Sequence, residues 1–481
     1  MKELALRSVD ALKTARVRYG DARVVQIREQ NIHVRDQRVQ DVHERESLGL
    51  GVRALLGPAW GFASMPHPTR IGCDRVVNEA VGIARAGRRG MRGTSQPWAA
   101  EPAHVDVYQT PLVKDPFLIS TQRKLDLLLA VNERMLKTRG VSTAAAWMGF
   151  RREEKIISNT EGALLHLKLT MSWAKAVATA TGRGEKATRY LEATPRSAGY
   201  EHIENASLIE KASRTAEEAV EKLHARPCPF GELDLILDPD HLALTLHESV
   251  GHPTELDRVL GWEANFAGTS FATLDKLGKF RYGSPQVNLV ADNTLAGGLS
   301  STGYDDDMVL CQAWDLIREG ILCGYTTTRE TAHFIGDSRS KGSSRADGWN
   351  HTPITRIPNF YLEPGPNPLS PEELISDTKD GIYIQGQGSF SIDQRRENFQ
   401  FGGDAFWRIK NGKRKGMLKN VTYQSVTPLF WGCCDAICDE TDWQLHGVLN
   451  CGKGQPSQTG RMSHGSATSR FRGITVGAAR V

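Results

Sequence analysis

The chain has 481 residues, 40% hydrophobic and 24% charged, enough for two or three soluble globular domains with a sizeable core. Its 60 Lys+Arg against 56 Asp+Glu give a formal charge of +4, too balanced for the clustered basic face of a nucleic-acid binder. No apolar run approaches the ~18 residues of a membrane span, and eight cysteines in a chain this long do not make a disulfide scaffold.

In chain order, "MKELALRSVDALKTARVRYG" has helical apolar spacing over residues 2–17, with Glu3 and Asp10 inside its apolar positions. It predicts an amphipathic helix in place of a secretory h-region, and with it a cytoplasmic protein with reduced thiols. Residues 22–64 alternate β-branched and polar side chains and predict a meander of short strands, with Gly or Asn at the turns. Residues 73–87 return to helix and stop at Gly87. Residues 91–120 hold Pro97, Pro102, Pro111 and Pro116 and no clear period, so they read as a long loop or extended arm. "STQRKLDLLLAVNERMLK" is a helix capped by Ser120 or Thr121. "EKIISNTEGALLHLKLTMSWAKAVATAT" reads as paired strands around Asn159 and Gly162, and residues 208–225 as a helix.

Residues 226–232, "RPCPFGE", carry two prolines and a glycine and mark a domain boundary. Beyond them the chain is rich in short strands and glycines. "FWRIKNGKRKGMLKNV" predicts a hairpin with Asn411-Gly412 near its turn, and the basic run Lys413-Arg414-Lys415 reads as solvated. "YLEPGPNPLSPEELI" reads as a long loop. The expected fold class is α+β, two domains of mixed helix and antiparallel sheet. The first, residues 1–225, combines helices with the strand meander; the second, residues 226–481, is strand-rich.

One short run concentrates metal-ligand side chains: "TLHESVGHPTEL", residues 245–256, holds His247, Glu248, His252 and Glu255. Asp238 can cap a helix there, with Pro239 at its first position. Leu242, Leu246 and Val250, four apart, form its apolar stripe. The familiar H-E-x-x-H pattern puts two histidines on one helical face. Here they are five apart, which at ~100° per residue sets them roughly 140° apart around an ideal helix. Both reach one ion only if the backbone changes. Gly251 is a natural place to end or widen the last turn, and Pro253 biases His252 away from helical geometry. On spacing alone the run is also compatible with two ordinary histidines at a helix end. Glu255 reads as a carboxylate orienting an imidazole or as a loop charge.

The run resembles the TldD/PmbA family, in its TldD-type form that keeps the metal motif H-E-x-x-x-H, matched by His247, Glu248 and His252. Further blocks are similar in order: "LSSTGYDDDM" at 299–308, "TRIPNFYLEPG" at 355–365, "GGDAFWRIKNGK" at 402–413, "LNCGKGQ" at 449–455 and, N-terminally, "VRALLGPAWGFAS" at 52–64. The resemblance implies a zinc metallopeptidase with ligands His247, His252 and Cys451 and Glu248 as catalytic carboxylate, the second domain being its metallopeptidase domain. Spacing alone selects no cysteine; "WGCCDAIC", with Cys433, Cys434 and Cys438, is denser. Ser249 replaces the family's usual alanine, which can add a hydroxyl near the site. Asp305, Asp306 and Asp307 read as a solvated turn, as a site for a hard cation, or, with Asp305 and Asp306, as contacts to substrate. Arg356 and Asn359 read as groups for peptide carbonyls or a terminal carboxylate, with Arg356 alternatively only building the fold.

The expected function is hydrolysis of short or unfolded peptides bound as an extended strand. The resemblance further implies a two-fold assembly, a homodimer or a heterodimer with a PmbA-type paralogue. The alternative is a non-catalytic regulatory or binding subunit that keeps the motif structurally, since some relatives were first described as modulators of DNA gyrase.

Overall fold

The computed structural model describes residues 1–91, 97–182 and 184–477. The first half is built on a seven-stranded sheet. Helix α1 (Lys2–Thr14) leads into β1 (Tyr19–Arg35), β2 (Arg38–Leu56) and β3 (Ala59–Pro66). Helix α2 (Arg70–Gly90) follows, with Thr69 accepting from the Gly72 N–H as its cap. The chain continues through β4 (Val105–Gln109), α3 (Thr121–Leu136), β5 (Val141–Asn159), β6 (Leu164–Gly182), β7 (Glu185–Arg196) and α4 (Leu208–Leu223). The strand order is β3-β2-β1-β5-β6-β4, with β7 also paired to β6. All pairs are antiparallel except β4 with β6.

Period-2 alternation divides this sheet cleanly. Val24, Ile32, Val34, Leu50, Val52, Ala146, Met148 and Ala176 face the helices and are buried. On the opposite face, Asp21, Arg23, Arg53, Arg151 and Lys155 are also buried, against the second half of the chain.

In the second half, β8 (Gly231–Leu237) runs into α5 (Pro239–Leu246). Later come β9 (Leu289–Asp292), β10 (Phe360–Leu362), β11 (Asp380–Gln385), β12 (Ala405–Lys410), β13 (Gln444–Lys453), β14 (Gln458–Ser466) and β15 (Ser469–Val476). A ten-stranded sheet contains β15, β8, β11 and β12 side by side. A six-stranded sheet contains β9, β10, β14 and, at its edge, β13. One apolar cluster joins both sheets and includes Leu242, Leu246 and Val250, the stripe expected from the sequence. The chain is thus α+β, mostly antiparallel, with a strand-rich second half.

Several local expectations need correction. The N-terminal strands are long, 17 residues in β1 and 19 in β2, because their pairing extends along their whole length, past the buried part and into a solvent-exposed hairpin end at Arg38–Glu46. Asp36 and Gln37, both at positive φ, make the β1–β2 turn without Gly or Asn. The expected loop over 91–120 contains β4, held by parallel pairing to β6; its part over 92–96 lies outside the described residues. Helix α2 runs past Gly87 to Gly90. The Asn411-Gly412 turn forms as expected, both residues at positive φ, and Ser120 caps α3. All eight cysteines are free thiols. Among the described residues no helix is long and apolar enough to cross a membrane.

Candidate metal centre

Helix α5 begins as the sequence requires: Asp238 accepts from the His241 N–H at 2.8 Å and Pro239 occupies the first turn. It does not stop after Leu246. Residues His247–Gly251 continue as one π-helical turn, closed by the His252 N–H donating to the His247 carbonyl at 3.2 Å. An i→i+5 bond widens the turn by one residue. That residue is the one by which the motif exceeds H-E-x-x-H, so the two imidazoles return to one side, ring centroids 4.8 Å apart.

One detail differs from the sequence reading. His252 keeps helical dihedrals (φ −65°, ψ −42°) although Pro253 follows it. Gly251 sits in the widened turn and is closely approached: a Cβ there would lie 3.0 Å from Phe360 and 3.1 Å from Ile357, and those side chains would have to shift. The Ser249 hydroxyl points into the core, donating to the Thr245 carbonyl at 2.5 Å and accepting from Trp431 Nε1 at 3.0 Å. Its backbone carbonyl accepts from Tyr282. These bonds pin the widened turn.

Cys451 comes from β13. A register shift between Val448 and Cys451 interrupts the pairing of β13 with β14 just before it. Its Sγ lies 3.7 Å from His252 Nε2, and one ligand atom from each of His247, His252 and Cys451 falls within 4.8 Å of the others. All three residues are buried. In an ideal tetrahedral zinc site with bonds of about 2.0–2.3 Å, neighbouring ligand atoms are roughly 3.5 Å apart. Two imidazoles and a thiolate are a donor set that zinc takes in catalytic sites. The residues therefore fit such an ion.

Their orientation is fixed from behind. His252 Nδ1 is 2.8 Å from Glu255 Oε2, which turns Nε2 toward Cys451. His247 Nδ1 is 2.8 Å from His464 Nε2, leaving Nε2 of His247 as the nitrogen without a side-chain partner among the described residues. Glu255 is itself held by Lys453 Nζ at 2.9 Å and faces Arg258 at 3.5 Å; Lys453 also meets Asp257 at 2.8 Å. Burial pushes the Glu255 carboxyl up, but Lys453 and His252 outweigh it and hold it well below its ordinary value. Burial lowers both imidazoles, which favours the neutral, ligating form. Burial raises the Cys451 thiol, but His252 and then Arg356 reverse this and the net shift is downward, toward thiolate.

Glu248, next to His247, accepts from Arg396 Nη1 at 2.6 Å. Arg396 and His464 are contributions that the sequence did not signal. Each lies far along the chain, in runs without ligand spacing, and only the tertiary fold brings them here.

The other residues singled out from the sequence have intramolecular partners. Arg356 is buried and donates to the carbonyls of Gln458, at 3.0 Å, and of Cys451. It therefore ties β13 to β14 beside Cys451. Asn359 accepts from Ser300 N–H and Ser463 N–H, both at 2.9 Å, and donates to Ser301. Asp305, Asp306 and Asp307 are buried, not a solvated turn. Asp305 accepts from the N–H groups of Asp307, Val309 and Ser344; Asp306 binds Lys155 at 2.9 Å; Asp307 binds Arg53 at 2.8 Å. Cys434 and Cys438 lie in the apolar core.

Comparison with known proteins accounts for nearly the whole chain. Residues 230–478 match the family model for the PmbA/TldA metallopeptidase C-terminal domain, residues 114–226 the central domain and residues 20–84 domain 1. A protein of Methanothermobacter thermautotrophicus named "Metalloprotease" is 28% identical over 464 residues, 96% of each chain. A "Zinc metalloprotease TldD homolog" of Saccharolobus solfataricus is 29% identical over 192 residues, 40% of each chain. The fold is similar to the crystal structure of a candidate modulator of a DNA gyrase from Thermotoga maritima, with TM-score 0.78 and 17% identity over 99% of each chain. With a π turn, two imidazoles and a cysteine sulfur assembled on a chain that these family models span, the protein belongs to the PmbA/TldD metallopeptidase family.

Proposed function

We propose that the chain is a zinc-dependent peptide hydrolase acting on short or unfolded peptides in the cytoplasm. The observation that carries this reading is the convergence of His247, His252 and Cys451 with Glu248 beside them. The name of the archaeal relative supports zinc as the ion. A zinc ion held by these three side chains supplies Lewis acidity to the scissile carbonyl and to an attacking water. Glu248 takes the water's proton and delivers it to the leaving nitrogen. Arg396 fixes the rotamer of Glu248. Glu255 and His464 hold the two imidazoles in their ligating orientation.

The substrate binds as an extended strand along β13. This strand is an edge of its sheet, carries Cys451, and leaves Val448, Leu449, Asn450 and Gly452 half-buried or exposed. Edge pairing reads backbone more than side chains, so selectivity is loose. A cleft of about 400 Å³ nearby, lined by Trp262 and Phe266 together with Glu263, Asn265 and Gln455, gives room for substrate side chains. The working form is a two-fold dimer, of this chain with itself or with a PmbA-type paralogue.

The test combines metal analysis with digestion of an unstructured peptide on the same samples. Wild type cleaves and chelator stops it. His247→Ala and Cys451→Ser each hold one equivalent of zinc less than wild type and do not cleave. Cys433→Ser keeps the metal, and Glu248→Gln keeps it without turnover. The alternative, a non-catalytic binding subunit, draws on the ion pair that occupies Glu248. It is the better reading if zinc-replete wild type leaves every peptide intact and binds a protein partner equally well with Glu248→Ala.

A further inference from the structure

At the other end of α5 and β13 sits a second cluster. Asp240 lies in the first turn of α5, His446 near the start of β13 and Glu192 on β7. One ligand atom from each falls within 4.8 Å of the others. His446 is only 9% exposed, yet neither ring nitrogen has a hydrogen-bond partner; Nδ1 lies 3.4 Å from Asp240 Oδ1 without hydrogen-bond geometry. An imidazole buried with both nitrogens unsatisfied is costly. Among the described residues no Lys or Arg forms an ion pair with Glu192 or Asp240; Lys175, opposite Glu192 across the β6–β7 pair, places its ammonium over the Tyr190 ring at 4.0 Å, and Arg189 is committed to Glu218 and Asp404. Asp240 is held in place by Tyr190 OH at 2.7 Å and Gln387 Nε2 at 3.0 Å. The three side chains face a solvent-connected cavity of about 390 Å³.

We propose that Glu192, Asp240 and His446 form a second metal site, for a divalent first-row ion of the zinc–manganese class, separate from the His247–His252–Cys451 centre. Two carboxylates and a neutral imidazole cancel a +2 charge, which suits a half-buried site. The imidazole selects against magnesium and calcium, and the absence of sulfur against cuprous copper. Because Glu192 comes from the N-terminal sheet, the ion fastens that sheet to the helix and the strand that carry the candidate catalytic ligands.

The full chain is stripped with chelator, reloaded with Zn²⁺ or Mn²⁺, desalted and analysed. Wild type retains two equivalents. His446→Ala and Glu192→Gln retain one, and so does Cys451→Ser. The double variant Cys451→Ser/His446→Ala retains none. With Co²⁺, Cys451→Ser loses the thiolate charge-transfer band but keeps d–d absorption, and this residual absorption vanishes on adding Glu192→Gln, a substitution small enough to preserve the fold. Metal raises the thermal midpoint of Cys451→Ser and leaves that of the double variants unmoved. The proposal is overturned if the Cys451→Ser background binds no ion, or binds one that Glu192→Gln and His446→Ala leave in place. Neither result depends on peptidase activity, so failure here and failure of the peptidase reading are distinguishable.

Discussion

Glu255 and Lys453 show how much of the candidate centre depends on residues that touch no substrate. Both are fully buried, and with Asp257 and Arg258 they form a closed charge cluster behind His252. Glu255→Gln keeps the shape but weakens the acceptor that orients the ring. Metal affinity is expected to fall about 10–100-fold with far-UV circular dichroism unchanged, read by competition with a chromogenic chelator. Lys453→Met strands two buried carboxylates and is expected to cost about 3–5 kcal/mol in urea unfolding. His241 makes a different, pH-linked contribution. Its Nδ1 lies 2.8 Å from the Gly386 carbonyl and its Nε2 2.8 Å from Tyr423 OH, and burial lowers it to about 4. The unfolded chain, with an ordinary imidazole near 6.5, takes up the proton first. The stabilisation is therefore complete above pH ~6.5 and is lost as pH falls toward about 4, by roughly 3 kcal/mol. His241→Gln should flatten this part of the stability profile, measured as urea midpoints between pH 7 and 4. An unchanged slope would rule out the assignment.

At the level of elements, the π turn decides whether the motif works. Its register is held from the outside, by Phe360 and Ile357 packed against Gly251 and by Trp431 and Tyr282 bonded to Ser249. Gly251→Val drives two methyls into that contact. Overpacking of this kind costs about 1–3 kcal/mol, and the turn is the softest element available to absorb it. The expected result is a folded protein with a lowered thermal midpoint and reduced zinc retention; retention equal to wild type would show that the turn is held elsewhere. The same element marks the limit of the sequence. The Asp238 cap, the Leu242–Leu246–Val250 stripe and the three motif residues are local and could be read directly. The choice of π geometry was not legible, because it is made by Trp431, Tyr282 and Phe360, more than thirty residues away. Cys451 could be chosen among eight thiols only by resemblance, and Arg396 and His464 carried no pattern at all. Alternation reveals the N-terminal strands but not their length, since nothing local shows how far β1 and β2 stay paired.

That charged face organises the whole molecule. Residues of β1, β2 and β5 that alternate away from the helices form a seam with the second half: Lys155 and Arg23 with Asp306, and Arg53 with Asp21 and Asp307. Charges this deeply buried are retained only when paired, and removing one partner leaves the other exposed to the full desolvation cost. Asp306 is therefore the residue at which a seam role and a substrate role can be told apart. Burial raises its carboxyl, but Lys155 and Arg23 win and keep it below its ordinary value, so it is ionised and engaged at neutral pH. Asp306→Asn keeps the volume but leaves one acceptor oxygen where Lys155 and the Ala346 N–H each had one, and leaves Lys155 and Arg23 short of a counter-charge. If the carboxylate belongs to the seam, the urea midpoint drops by the equivalent of about 3–5 kcal/mol, while KM and kcat for peptide cleavage per folded molecule stay as in wild type. If it reads substrate, KM rises with the midpoint unmoved. The short path from Asp306 through Lys155 to Glu153 and Arg151, the last three on one face of β5, favours the first outcome: it ties Asp306 into the packing of the N-terminal sheet against the second half.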